Sequence, residues 1–226
     1  MAKSHWKDLP QSGKHPCLGL NDADTDNMIN DDYIFISHSL GSRITIDGMQ
    51  RIAGMLPNQE KIRAAANVKT AGVSEKVIHA LRDKRIPIFM LSNQLPMLQL
   101  GRELPEVSGQ IANYCEPEGP NYQERMVSET SIIAFSDPND LLSYGIPPGF
   151  SEKYLDSRLC PRITNININV AKTIDAFGIS GLANPMYAHV GYDTDDRIVA
   201  LIARGIGNPN TSPLITQKCE FTKTVE

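Results

Sequence analysis

No window of the 226 residues reaches the ~18 consecutive apolar residues that a membrane-crossing helix needs, and the opening MAKSHWKDLP has no apolar core of the kind a secretory leader carries. No membrane span is expected, and a cytoplasmic setting is. Basic excess is also missing: 22 Lys and Arg against 26 Asp and Glu give a net charge of -4 and a pI near 5.7. With no surplus of cations to neutralise phosphates, nucleic acid is not an expected partner. Cysteine is sparse, and Cys17, Cys115, Cys160 and Cys219 include no C-x-x-C pair. Neither a zinc site nor a dithiol motif nor a disulfide scaffold follows from that spacing, so reduced thiols are the expectation. There is no internal repeat and no low-complexity tract.

What is present is ordinary for a folded chain. Hydrophobic residues make up 41% and charged residues 21%, and the length suits one α/β-sized unit at ~150 residues per domain. Residues 1–32 are polar, broken by Pro10, Gly13, Pro16 and Gly19, and read as an N-terminal arm; 33–226 read as the folded domain. Asp22, Asp24 and Asp26 imitate the start of a calcium loop. However, Asn27 stands where the turn requires Gly, and Tyr33 where a bidentate Glu belongs, so a solvated acidic loop is expected and no metal.

From Tyr33 the pattern changes. Tyr33 to Ile36 is a short apolar run suited to a strand buried on both faces. Ile44, Met49, Ile52, Ala53 and Leu56 then recur at helical spacing. Val73, Val77, Ile78 and Leu81 mark a second helix, and Pro87 to Leu91 and Ser131 to Phe135 mark further buried strands. In Ile163 to Val170, Ile166, Ile168 and Val170 alternate with Asn165, Asn167 and Asn169, which suggests a strand covered on one side only. Ile198 to Ile202 closes the series as a helix. Strand and helix in alternation predict an α/β fold with a mostly parallel sheet and flanking helices.

Between the first strand and its helix lies Ser37-His38-Ser39-Leu40-Gly41, a variant of the G-x-S-x-G nucleophile elbow. A serine raised on so sharp a turn needs tiny neighbours two positions before and after, and Ser37 and Gly41 supply them. The plainer alternative is a helix N-cap, with Ser37 or Ser39 accepting an amide of the first turn. Gly205 and Gly207 do not complete a dinucleotide fingerprint, because Asn210 replaces the last Gly. No cofactor is expected.

On these residues the chain resembles the α/β-hydrolase superfamily, in particular its lipase and esterase branch, where His-Ser-Leu-Gly is a common form of the elbow. The resemblance implies a triad in the order nucleophile, acid, histidine. Asp137 and Asp140 follow the Ser131 to Phe135 run. Of the five histidines, His5, His15, His38, His79 and His189, only His189 lies beyond them. The resemblance thus implies Ser39 as nucleophile, Asp140 as acid with Asp137 as the alternative, His189 as base and the Leu40 amide as an oxyanion donor. The two carboxylates could instead cap turns around Pro138. Phe177, Ile179, Leu182, Met186 and Tyr187, in the link before His189, either line an acyl pocket or cover the open end of the sheet.

The motifs span residues 33 to 203, yet hydrolases of this class carry several strands and a second oxyanion donor ahead of the nucleophile, and only thirty-eight residues precede Ser39. The expectation is an N-terminally truncated α/β-hydrolase-like domain cleaving small or medium carboxylic esters, with an open sheet edge covered by a second copy or a companion chain. The rival expectation is a non-catalytic remnant or fragment that serves as a binding or oligomerisation module. A missing donor would lower turnover by about 10²–10³.

Overall fold

Continuous apolar residues in two successive runs dictate a sheet that buries both faces. Ile86, Ile88 and Met90 point one way and Phe89 and Leu91 the other; Ile132 and Ala134 oppose Ile133 and Phe135 in the same manner. The computed structural model describes residues 27, 29–55, 75–171, 173–176, 179–205 and 220–223.

In it β1 (Phe35–His38) leads through a sharp turn into α1 (Gly41–Met55), and α2 (Glu75–Arg82) precedes β2 (Arg85–Leu91). The short α3 (Ile111–Cys115) comes before β3 (Glu129–Ser136), and α4 (Phe150–Tyr154) before β4 (Pro161–Asn167). A hairpin of β5 (Thr173–Ala176) and β6 (Ile179–Ala183) follows, then α5 (Pro185–Val190), α6 (Asp196–Arg204) and β7 (Glu220–Lys223). β1 to β4 are parallel and adjacent in chain order, and β7 pairs antiparallel with β4. This is an α/β fold.

Two apolar layers flank the sheet. One joins Ile46, Met49 and Ala53 of α1 to Ile86, Ile88, Met90, Ile132 and Ile163, with Leu155 and Leu159 closing it. The other joins Ile198 and Leu201 of α6 to Phe89, Leu91, Ile133, Phe135, Ile166 and Ile168 around a fully buried Tyr192. At ~1.5–3 kcal/mol per buried large side chain, these layers are the main stabilising term that opposes chain entropy.

Several expectations need correction. The first strand is not buried on both faces: only Ser37 of β1 is buried, while Ile34, Phe35 and Ile36 are exposed, because β1 pairs with β2 alone among the described residues. On α1, Ile44 and Ile52 face solvent, and Ile46 joins Met49 and Ala53 in the core. Leu56 and Val73 lie outside the described residues. β4 is covered on both sides. Asn165 is buried there because its amide side chain satisfies both backbone groups of Ile146, accepting from the N–H and donating to the carbonyl, each at 2.8 Å. The link after Lys172 holds the β5–β6 hairpin, and the closing β7 had no apolar run long enough to announce it.

The thiols also depart from expectation. Cys115 and Cys160 are joined in a disulfide across 45 residues, with Cα atoms 5.3 Å apart. Their spacing carries no signal, since α3 and the turn before β4 meet only in the folded chain. Cys17, Cys219, the acidic stretch Asp22 to Asp26, and His5 and His15 lie outside the described residues. Among the described residues no helix is long and apolar enough to cross a membrane, and no cluster of three metal-ligating side chains occurs.

Candidate active site

Parallel strands deliver their carboxyl ends to one edge of the sheet, and in α/β sheets that edge is where ligands are bound. β1 ends at His38, β2 at Leu91 and β3 at Ser136, with His38 opposite Leu91 in register. The residues that follow are Ser39, Ser92 and the Asp137 to Asp140 turn. One strand arrangement thus gathers Ser39, Ser92 and Asp140, which are 48 to 101 residues apart in sequence.

Ser39 takes a left-handed backbone conformation, φ 55°, which a non-glycine residue adopts at a cost of about 1–3 kcal/mol. Its amide donates to the Leu91 carbonyl at 2.9 Å, and Ser42 donates back to the Ser39 carbonyl, so the turn is held from both sides. A Cβ on Gly41 would stand 3.4 Å from the Ser37 Cβ, the close approach for which small residues were required. The N-cap alternative is not what the side chains do. The Ser39 hydroxyl faces His189, and the Ser37 hydroxyl reaches toward the Phe89 carbonyl at 3.5 Å.

The structure brings Ser39, His189 and Asp140 together. His189 Nε2 lies 3.1 Å from Ser39 Oγ, and His189 Nδ1 lies 3.0 and 3.1 Å from the two oxygens of Asp140. His189 sits in the last turn of α5, a helix started by Asn184, whose Oδ1 accepts the Met186 and Tyr187 amides, with Pro185 at the first helical position. Asp140 is buried and accepts the Leu142 amide at 3.0 Å. Burial pushes its carboxyl pKa up, but the Ser92 hydroxyl, the Leu142 amide and His189 together outweigh burial and hold it below the usual carboxylate range.

Asp137 is occupied elsewhere. Its Oδ2 accepts the amides of Val170 and Ala171 at 2.7 and 3.1 Å, and its Oδ1 accepts the Asn139 amide at 2.7 Å. It ties the end of β3 to the chain leaving β4, and no bond joins it to His189 among the described residues. The Leu40 amide, next to Ser39, forms no hydrogen bond among the described residues.

The expected pocket residues are placed only in part. Met186 and Tyr187 are exposed on α5; Phe177 lies outside the described residues, and for Ile179 and Leu182 only the backbone of β6 is described. Two contacts of the site were not expected. Ser92, with no exposed surface, donates to Asp140 Oδ2 at 2.7 Å and lies 2.9 Å from His189 Nδ1. His38 Nε2 lies 2.8 Å from the His189 carbonyl, with its ring edge-on to His189 at 5.3 Å between centroids. The one trace of Ser92 in sequence is its place straight after an apolar strand, the same place Ser39 holds. His79, in α2, is exposed and lies 3.4 Å from an Arg82 guanidinium nitrogen. No family model, curated protein or solved structure matches the chain.

Proposed function

We propose that this protein is a serine hydrolase of carboxylic esters, built as an α/β-hydrolase-like domain whose sheet, among the described residues, has the nucleophile strand at its edge. The observation that carries the reading is the unbroken line Ser39 Oγ, His189 Nε2, His189 Nδ1, Asp140, with every step between 3.0 and 3.1 Å. A carboxylate on one ring nitrogen holds the proton there and leaves the other as the base that a serine hydroxyl needs.

In the reaction Ser39 Oγ attacks the ester carbonyl carbon as its proton passes to His189 Nε2, and the carbonyl oxygen becomes an oxyanion facing the Leu40 amide. Collapse breaks the bond to the alcohol oxygen, which takes the proton from Nε2 and leaves an acyl-Ser39. Water, deprotonated by the same nitrogen, attacks the acyl carbon; Ser39 leaves with that proton and the acid is released. Asp140 stays ionised throughout and stabilises the imidazolium. Leu40, Leu141, Val190 and Met186, each exposed and close in sequence to a triad member, favour an apolar acyl group over a charged one.

The test is labelling by a fluorophosphonate together with hydrolysis of p-nitrophenyl esters of graded acyl length. Wild type should label at one serine and Ser39→Ala at none. Labelling that persists unchanged in Ser39→Ala rejects the reading.

One observation favours a second reading, a non-catalytic module for binding or oligomerisation. β1 has a free edge among the described residues, flanked by Ile34 at 57% and Ile36 at 57% exposure, and such edges are commonly covered by another strand. A second copy or a companion chain that pairs along β1 is its occupant. Light scattering separates the possibilities: a monodisperse monomer with full ester turnover removes the need for this reading.

A further inference from the structure

Ser92 directly follows β2 as Ser39 follows β1, and it too is left-handed, with φ 50°. A buried serine held in a strained conformation next to two polar groups is a position the fold maintains against a local cost. Its hydroxyl has one proton and two lone pairs. Asp140, held ionised, can only accept, and at 2.7 Å it takes the Ser92 proton on Oδ2. What Ser92 then presents to His189 Nδ1, 2.9 Å away, is a lone pair.

Nδ1 therefore faces acceptors on every contact: two carboxylate oxygens and the Ser92 oxygen. An unprotonated Nδ1 would set its own lone pair against all three. With the proton on Nδ1, a single N–H is shared among the three oxygens, no lone pairs are opposed and Nε2 is left bare for Ser39.

We propose that Ser92 is a positioning residue that, together with Asp140, locks His189 in the Nδ1-protonated tautomer and in the ring orientation that aims Nε2 at Ser39. The inference rests on the hydrolase reading above and adds a fourth member to its site. Ser92 never meets the substrate. It acts through the imidazole and by holding Asp140 Oδ2, so its loss should slow proton transfer without altering substrate binding.

The experiment compares wild type, Ser92→Ala, Ser92→Gly and Ser39→Ala for fluorophosphonate labelling rate, ester kcat and KM. It adds nitrogen-15 NMR of histidine-labelled protein, with His189 assigned through His189→Gln. Both Ser92 variants should label and turn over roughly ten- to a hundredfold more slowly at unchanged KM, the range expected for one hydrogen bond to a charged partner. The His189 ring nitrogens should shift toward the Nε2-protonated form. Glycine accepts φ 50° without strain, so Ser92→Gly should fold at least as well as wild type and still be slow, which separates the hydroxyl from the backbone. Labelling within twofold of wild type in Ser92→Gly, or slow labelling with His189 nitrogen shifts unchanged, overturns the role of Ser92 while Ser39→Ala still abolishes labelling. Full labelling of Ser39→Ala overturns the hydrolase reading, and this inference with it.

Discussion

Ser39 and Ser92 hold opposite nitrogens of one imidazole. Each follows the last residue of a parallel strand, each has a left-handed backbone, and their strands are neighbours with His38 paired to Leu91, so the two hydroxyls come to the same edge of the sheet one strand apart. His189 lies between them, 3.1 Å from Ser39 and 2.9 Å from Ser92. The repeated strand-end turn is what places two serine hydroxyls on either side of a single imidazole.

The two candidate carboxylates should part company on mutation. Asp140→Asn presents an amide to Nδ1, which favours the wrong tautomer, and turnover should fall by about 10³–10⁴ with little change in KM. Asp137→Ala removes the acceptor for three backbone amides, Asn139, Val170 and Ala171, and should lower unfolding free energy by roughly 1–3 kcal/mol while leaving much of the turnover. Steady-state kinetics and urea denaturation of both variants check the assignment; the opposite ranking of their kinetic effects rejects it.

His38 should matter for the position of His189. A carbonyl only accepts, so the contact at 2.8 Å requires a proton on His38 Nε2 and pins the backbone of His189 to the strand that leads into Ser39. His38→Ala should lower the rate of Ser39 labelling about tenfold, with melting temperature nearly unchanged because the side chain is exposed. His38→Gln keeps a donor and should recover part of the rate. Equal rates in all three proteins would show that the base needs no such tether.

Asp195 should contribute stability that acid removes. It caps α6 through the Arg197 amide at 2.9 Å and pairs with the Arg197 guanidinium. Burial pushes its carboxyl pKa up, but the bonds and charge of Arg197 and the Ile198 amide hold it below the usual range. A pKa lower in the folded than in the unfolded chain contributes stability in full above the unfolded value, near ~3.9, and loses it as pH falls through the folded value. Asp195→Ala should therefore cost about 1–2 kcal/mol at pH 7, and the gap to wild type should narrow below pH ~4. Urea denaturation at pH 7 and pH 3.5 measures both.

The disulfide gives a prediction about conditions. Closing a loop of 45 residues between Cys115 and Cys160 restricts the unfolded chain, and a bond of this kind contributes about 2–4 kcal/mol. In oxidised protein Cys115 and Cys160 should resist alkylation in denaturant until reduced, and dithiothreitol should lower its melting temperature. The same trapping performed on intact cells reads the compartment. Free thiols at both positions accord with the cytoplasm, and a persistent bond accords with an oxidising setting.

The central strands were legible because a strand buried on both faces is a continuous apolar run, as in Pro87 to Leu91 and Ser131 to Phe135, whereas β5, β6 and β7 were not foreseen. Ser39 was legible because a strained turn restricts its neighbours to small residues, and Ser37 and Gly41 carry that restriction in the letters themselves, whereas Asp140 and His189 followed only from the order implied by the resemblance. Other features depend on which chain ends arrive at the same place. Asp137 and Asp140 are the same chemical group three residues apart, and only the turn after β3 decides that one meets three backbone amides and the other an imidazole. Ser92, the Cys115–Cys160 pair and the buried Asn165 likewise take their meaning from partners 48, 45 and 19 residues away. Local propensity constrains a residue's own backbone. What its side chain faces is set by strand register and packing, which bring distant segments within 3 Å.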